Sequence, residues 1–275
     1  MDDLEGNAGA DQTAAQDAAQ NAGQTTAFSR FYKAPMGRVV RHLVTRKLGL
    51  IMPEAQPHEG DQRLAVGIGY ARPYLRFLDQ RYGAVMGLQS AGIEPLAWPH
   101  RRPSRLASVE ENALPLPSSG VDAVLLVHGL EIAPDPSALL QECWRVLKGM
   151  GRIVVVVPHR GSMWAGREIT PFGYGQPYSV NQIKSLLKSH DFEVAKVHQA
   201  LVAPPAETLI YPRFAPLVER LPNPLGGVLI VDARKMIYSV RGIPAASRKL
   251  ARPALIGINT SVTPRISGNG DGEAS

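Results

Sequence analysis

Cysteine is nearly absent: Cys143 is the only one in 275 residues. A lone thiol excludes a disulfide framework and a cysteine-based metal cluster. Its neighbours Leu139, Leu140, Trp144 and Leu147 mark it as a buried helical thiol. A nucleophile would need an exposed, electropositive setting. Long apolar runs are missing as well. The longest, residues 153–158, reads as a buried strand and is far too short to span a bilayer. Residues 1–27 contain acids but no Lys or Arg, so no secretory leader is read there. Together with the single thiol this predicts a cytoplasmic protein. The seven histidines are scattered, with no two at ligand spacing beside Asp or Glu, so no metal is expected. There is no phosphate-binding Walker loop and no serine nucleophile elbow. Basic residues are not interleaved with aromatics, which argues against single-strand nucleic-acid binding.

What is present is ordinary globular material with an uneven charge. Apolar residues make up 44%, and the net charge is +6. That suits one α/β domain with tails. Cations cluster at residues 38–47, 100–105 and 234–249, which fits either an anionic partner or solvated faces. Residues 1–27 are Ala, Gln, Asp, Gly and Asn with almost no large apolar side chain, and read as disordered. Residues 28–58 form an amphipathic helix and linker: Phe28, Phe31, Tyr32, Val39, Val40, Leu43, Val44 and Leu48 recur at helical steps. The helix is expected to start near Pro35, with Arg38, Arg41, His42 and Lys47 on its opposite face.

From residue 60 strands and helices alternate. Strands are read at 64–66, 84–88, 106–109, 121–127, 152–157, 192–201 and 227–234. Helices are read at 73–81, 136–147 (stopped by Gly149) and 179–189, the last capped by Ser179. The run at 152–157 is apolar on both faces and therefore central. The alternation predicts a doubly wound, mostly parallel seven-stranded sheet over 60–240. Residues 241–275 are basic, then Gly- and Ser-rich, and read as a partly disordered tail.

The first strand ends in Gly67-Ile68-Gly69-Tyr70, followed by a helix start. Glycines let a ligand approach the main chain, and a helix N-terminus offers free N–H groups. In an open parallel sheet, ligands bind at such strand ends. Ala71 stands near the place of the third glycine of a dinucleotide fingerprint, so the corner is a partial match.

The middle of the chain carries a series of linked motifs. Leu114-Pro-Leu-Pro-Ser-Ser-Gly-Val-Asp122 leads into an apolar strand ending in His128-Gly-Leu-Glu131. Asp135-Pro136, Glu142-Cys-Trp-Arg-Val-Leu-Lys148 and a strand ending in Pro158-His159 follow. In order and spacing this resembles class I S-adenosylmethionine-dependent methyltransferases, specifically the type 11 branch, over residues 60–233. The stretch from Thr170 to Ser179 resembles a signature of a bacterial subgroup of uncharacterised proteins. The resemblance implies a Rossmann-like fold and S-adenosyl-L-methionine as cofactor. It implies that Gly67, Gly69 and Tyr70 meet the methionine part, Gln89 the ribose, Glu110 and Glu111 the adenine side, and His128 the end of the fourth strand. It also shows two substitutions. Ala65 stands where an acid usually precedes the turn, and Gln89 stands in place of the ribose-binding acid. An amide accepts hydroxyl hydrogen bonds more weakly than a carboxylate.

Methyl transfer from a sulfonium needs alignment and exclusion of water, and a base only when the acceptor is protonated. His128, His159 and Tyr174 are the candidates for a catalytic role. His159, beside Arg160, reads as exposed. Tyr70, Tyr174 and Tyr178 are expected to line an acceptor pocket, with residues 171–177 as a lid or a rigid crossover. The implied function is methyl transfer to a small molecule. The competing reading is a non-catalytic module of the same fold, with a degenerate cofactor site and a basic helix or tail for an anionic partner. No Asn-Pro-Pro-Tyr motif follows the fourth strand, so no nucleic-acid substrate is expected.

Overall fold

In a computed structural model the described residues are 27–52, 57–90, 97–99, 103–165, 170–173, 175–202 and 226–237. The expected tails, and Tyr174, therefore lie outside the described residues, save for Ala27.

Two helices open the described chain: α1 over residues 27–33 and α2 over Pro35–Ile51. The helix expected to start near Pro35 does so as α2, and the short helix α1 that precedes it is not part of that expectation. Ala34 is extended, at φ −70 and ψ 159, because a residue before proline is driven out of the helical region. Pro35 then starts α2, where its fixed φ and missing N–H cost nothing. Val40, Leu43, Val44, Leu48 and Ile51 are the buried stripe of α2. Arg38, Arg41, His42 and Arg46 are exposed on the other side.

The strands are β1 (Leu64–Gly69), β2 (Ala84–Ser90), β3 (Leu106–Val109), β4 (Val121–Val127), β5 (Leu147–Pro158), β6 (Phe192–Ala200) and β7 (Val228–Lys235). They form one seven-stranded sheet in the order β3-β2-β1-β4-β5-β7-β6. All pairs are parallel except those of β7, which runs antiparallel to β5 and β6. The remaining helices are α3 (Leu75–Asp79), α4 (Pro136–Val146) and α5 (Val180–Ser189).

Both faces of the sheet are covered. On β4, Ala123, Leu125 and Val127 point to the core shared with α1, α2 and α3. Val124 and Leu126 point to the core shared with α4 and α5. This is the two-residue period of a strand with helices on each side, and it explains the apolar run from Ala123 to Val127. Each such Leu or Val contributes about 1.5–3 kcal/mol by leaving water.

Local signals account for the helix starts. The Asp135 carboxylate accepts from the N–H groups of Ser137 and Ala138. Ser179 and Gln182 form a reciprocal capping box on α5, in line with the cap expected at Ser179. The end of α4 differs from expectation. Leu147 is already extended, at φ −68 and ψ 138, and pairs with Val121 of β4. The ladder captures the chain before Gly149 is reached.

Several motif residues prove architectural. Asp122 accepts from the Leu64 N–H and pairs with Lys148 at 2.7 Å. Glu142 holds Arg145 and the Leu114 N–H, and Arg145 donates to the carbonyls of Leu114 and Leu116. These bonds pin the turn before β4 onto α4.

Candidate functional site

The strand order reverses direction between β1 and β4, so the crevice beyond their C-terminal ends is the topological switch point. Gly69 ends β1 and His128 follows β4. Gly69 has φ +72, and a Cβ there would stand 2.5 Å from the Val127 carbonyl oxygen and 3.0 Å from Gly129 Cα. A Cβ on Gly67 would stand 2.6 Å from Leu75 Cδ2. Both glycines are thus already required by packing within the chain. The Tyr70 N–H closes the corner by donating to the Val127 carbonyl at 2.7 Å.

His128 is fully buried and takes φ +50. Its Nδ1 lies 2.7 Å from Glu131 Oε1, and its Nε2 lies 3.0 Å from the Tyr32 hydroxyl. A carboxylate only accepts, so Nδ1 carries the hydrogen, and in the neutral ring Nε2 accepts from Tyr32. The Tyr32 hydroxyl is also 3.2 Å from that of Tyr74. Burial and the neighbouring Tyr74 hold Tyr32 far above the usual phenol range, so it remains a hydroxyl. Burial does the same to Tyr74.

Rings fill the space around His128. Phe28 stacks on Tyr70 at 5.3 Å between centroids and lies 4.7 Å from the His128 ring. Tyr32 stacks on Tyr70 at 5.6 Å, and Phe172 lies 5.1 Å from His128. Phe28 and Tyr32 both come from α1. Glu131 is buried, and its Oε2 has no hydrogen-bond partner among the described residues. Leaving such an atom unmatched costs about 1–3 kcal/mol, and more when the group is charged.

At the ends of β2 and β3 the setting is polar. Gln89 is buried and pairs in register with Ser108. The Ser90 hydroxyl donates to the Glu111 carboxylate. Burial raises the Glu111 carboxyl above its usual range, and the Ser90 bond partly opposes this. Glu110 is exposed, so Glu111 is the acid turned toward β2.

His159 is buried rather than exposed. Its Nδ1 lies 3.0 Å from the Gly226 carbonyl, and its backbone N–H donates to the carbonyl of Gly227. These bonds tie the end of β5 to the start of β7, and none reaches the His128 cluster. Tyr178 donates to the Leu130 carbonyl at 3.2 Å. Cys143 is fully buried, and burial drives its thiol well above the ordinary range. Glu131, Phe28, Tyr32 and Tyr74 are site residues that sequence reasoning does not single out. Glu131 closes the His128-Gly-Leu-Glu131 motif, three residues from His128; the others carry no signal beyond helical spacing.

A seven-stranded sheet in this order, with its switch-point crevice between β1 and β4, has the Rossmann-like α/β architecture of class I methyltransferases. Residues 64–155 match the family described as methyltransferase domain. An uncharacterized protein of Mycobacterium tuberculosis is 28% identical over 187 residues, covering 65% of this chain and 62% of the relative. The chain thus spans less than two thirds of that relative's length. A probable S-adenosylmethionine-dependent methyltransferase of the same organism is 36% identical over 76 residues, 27% of each chain. A Thermotoga maritima S-adenosylmethionine-dependent methyltransferase, described as a possible histamine N-methyltransferase, superposes with a TM-score of 0.54. That match has 18% identity and covers 76% of this chain and 94% of the other, a likeness of fold. Residues 64–155 thus resemble a methyltransferase domain within a class I methyltransferase fold, and S-adenosylmethionine is the cofactor that this match implies.

The described side chains fit that cofactor at one end of the crevice. Gln89, Ser90 and Glu111 offer donors and acceptors where ribose hydroxyls would lie. At the other end they do not fit it as they stand. Phe28 and Tyr32 occupy the space between Tyr70 and His128 that a methionine chain would need.

Proposed function

We propose that the protein transfers a methyl group from S-adenosylmethionine to a small-molecule acceptor. The observation that carries this is a methyltransferase domain whose switch-point crevice ends on a buried His128–Glu131 pair. In this reading Gly67, Gly69 and Tyr70 border the methionine part. Gln89 and Glu111 bind the ribose and adenine side, with Glu110 at its rim. His128, oriented by Glu131, is the group available to take a proton from an acceptor. His159 has its ring nitrogen committed to the Gly226 carbonyl and is given a structural role. Tyr174 stays a candidate for the acceptor side on the strength of its motif alone. A cytoplasmic setting is part of the proposal, supported by the single buried thiol.

Titration calorimetry with S-adenosylhomocysteine tests the proposal, followed by detection of S-adenosylhomocysteine released in the presence of candidate amines, phenols and carboxylates. Binding followed by turnover is the expected result. No binding of either cofactor form at millimolar concentration would refute it.

The rings of Phe28 and Tyr32 in the crevice favour a second reading, a domain of this fold that binds partners without catalysis. The exposed cations Arg38, Arg41, His42 and Arg46 on α2 would then face an anionic partner. Turnover on any acceptor rejects that reading.

A further inference from the structure

We propose that α1 is a built-in plug of the cofactor crevice, so that the site is regulated by withdrawal of residues 27–33. The inference rests on the methyltransferase reading above.

The plug is specific to the switch point. The fully buried Phe28 ring sits between Tyr70, at the end of β1, and His128, at the end of β4. Tyr32 takes up His128 Nε2 and the Tyr74 hydroxyl. A cofactor chain entering between β1 and β4 and the side chains of α1 compete for the same volume and for the same imidazole nitrogen. Both cannot be present together.

Three features make α1 separable from the body of the domain. The break at Ala34, forced by Pro35, divides it from α2, so a change of backbone angles there can swing residues 27–33 alone. The buried residues of α2 (among them Val40, Leu43, Val44 and Leu48) keep that helix on the sheet whether or not α1 is seated. The outward residues of α1, Arg30 and Lys33, are exposed cations, so its polar face is already in water.

The seated state is also incomplete. Phe28 and Tyr32 satisfy the apolar part of the crevice, but Glu131 Oε2 remains buried without a partner among the described residues. A ligand that brings hydrogen-bond donors or positive charge would match that oxygen, whereas the plug offers it nothing.

The test is binding of S-adenosylhomocysteine to the full chain, to Phe28→Ala and to Tyr32→Phe, with melting curves for each. It is joined to hydrogen exchange of residues 27–33 in the wild type with and without ligand. The variants are expected to bind about tenfold more tightly or better, because apparent affinity scales with the fraction of molecules whose crevice is open. In the wild type, saturating ligand should speed exchange in residues 27–33, the opposite of the protection given by a lid that closes over its ligand. Equal or weaker binding by variants that still melt cooperatively overturns the plug while leaving the methyltransferase reading intact. Ligand-induced protection of residues 27–33 overturns it too. Where Phe28→Ala fails to fold, Tyr32→Phe and the exchange measurement decide. If no form binds, the methyltransferase reading fails and the plug fails with it.

Discussion

Replacing Gly69 by Ala asks whether the glycine corner serves the fold or only a ligand. Two costs can be read from the structure. The first is conformational: at φ +72 an alanine sits in the left-handed region, which costs about 1–2 kcal/mol. The second is steric. The new Cβ would stand 2.5 Å from the Val127 carbonyl oxygen and 3.0 Å from Gly129 Cα, both backbone atoms. β4 cannot yield easily, because it is paired to β1 on one side and β5 on the other. Overpacking against such a wall adds about 1–3 kcal/mol. Gly60→Ala supplies the control, since Gly60 has φ +84 but a methyl group there would meet nothing within 4 Å. It should show the conformational cost alone, about 1–2 kcal/mol. Urea unfolding of the two variants measures the difference. Gly69→Ala is expected to lose about 2–5 kcal/mol, and its melting temperature should fall several degrees further than that of Gly60→Ala. Equal losses would refute the packing argument and leave ligand contact as the reason for the glycine.

Other consequences can be checked independently. Arg145 holds the Glu142 carboxyl below its usual range, so the folded pKa is depressed and the stabilisation is present above the unfolded value. The stability gap between wild type and Glu142→Gln, measured by urea titration, should therefore shrink as pH falls through the folded pKa; a gap that widens on acidification would contradict this. Cys143 should stay unreactive to a thiol reagent in native protein and react fully in denaturant, since burial disfavours the thiolate. His128→Ala should cost about 3–5 kcal/mol, because it leaves the Glu131 carboxylate buried without its partner. The double variant His128→Ala/Glu131→Leu should recover part of that loss, and additive losses would show that the pair is not coupled.

How legible the molecule is from its sequence depends on how local each signal is. β4 can be read from its apolar run, interrupted only at Asp122, and α5 from the cap at Ser179. Pro35 reads as a helix start and is one, but its effect on the preceding residue, which splits α1 from α2, escapes the periodicity. The end of α4 departs from expectation because Gly149 is a local stop signal, whereas pairing of Leu147 with Val121 is a tertiary event. The burial of His159 escapes a sequence reading because its partners, Gly226 and Gly227, lie far along the chain.

Composition and motif order were enough to specify an α/β sheet with a glycine corner at Gly67 and Gly69. The resemblance to class I methyltransferases adds that Ala65 and Gln89 stand where acids are usual. These are properties of short windows, where side-chain period and turn chemistry act between near neighbours. Only the folded chain decided what stands in the crevice. Phe28, Tyr32, Tyr70, Tyr74, His128 and Phe172 are scattered over more than half the sequence and meet because β1 and β4 lie side by side under α1. No spacing rule links such residues: their proximity comes from burying apolar area across the whole domain, a condition that no single segment can meet alone.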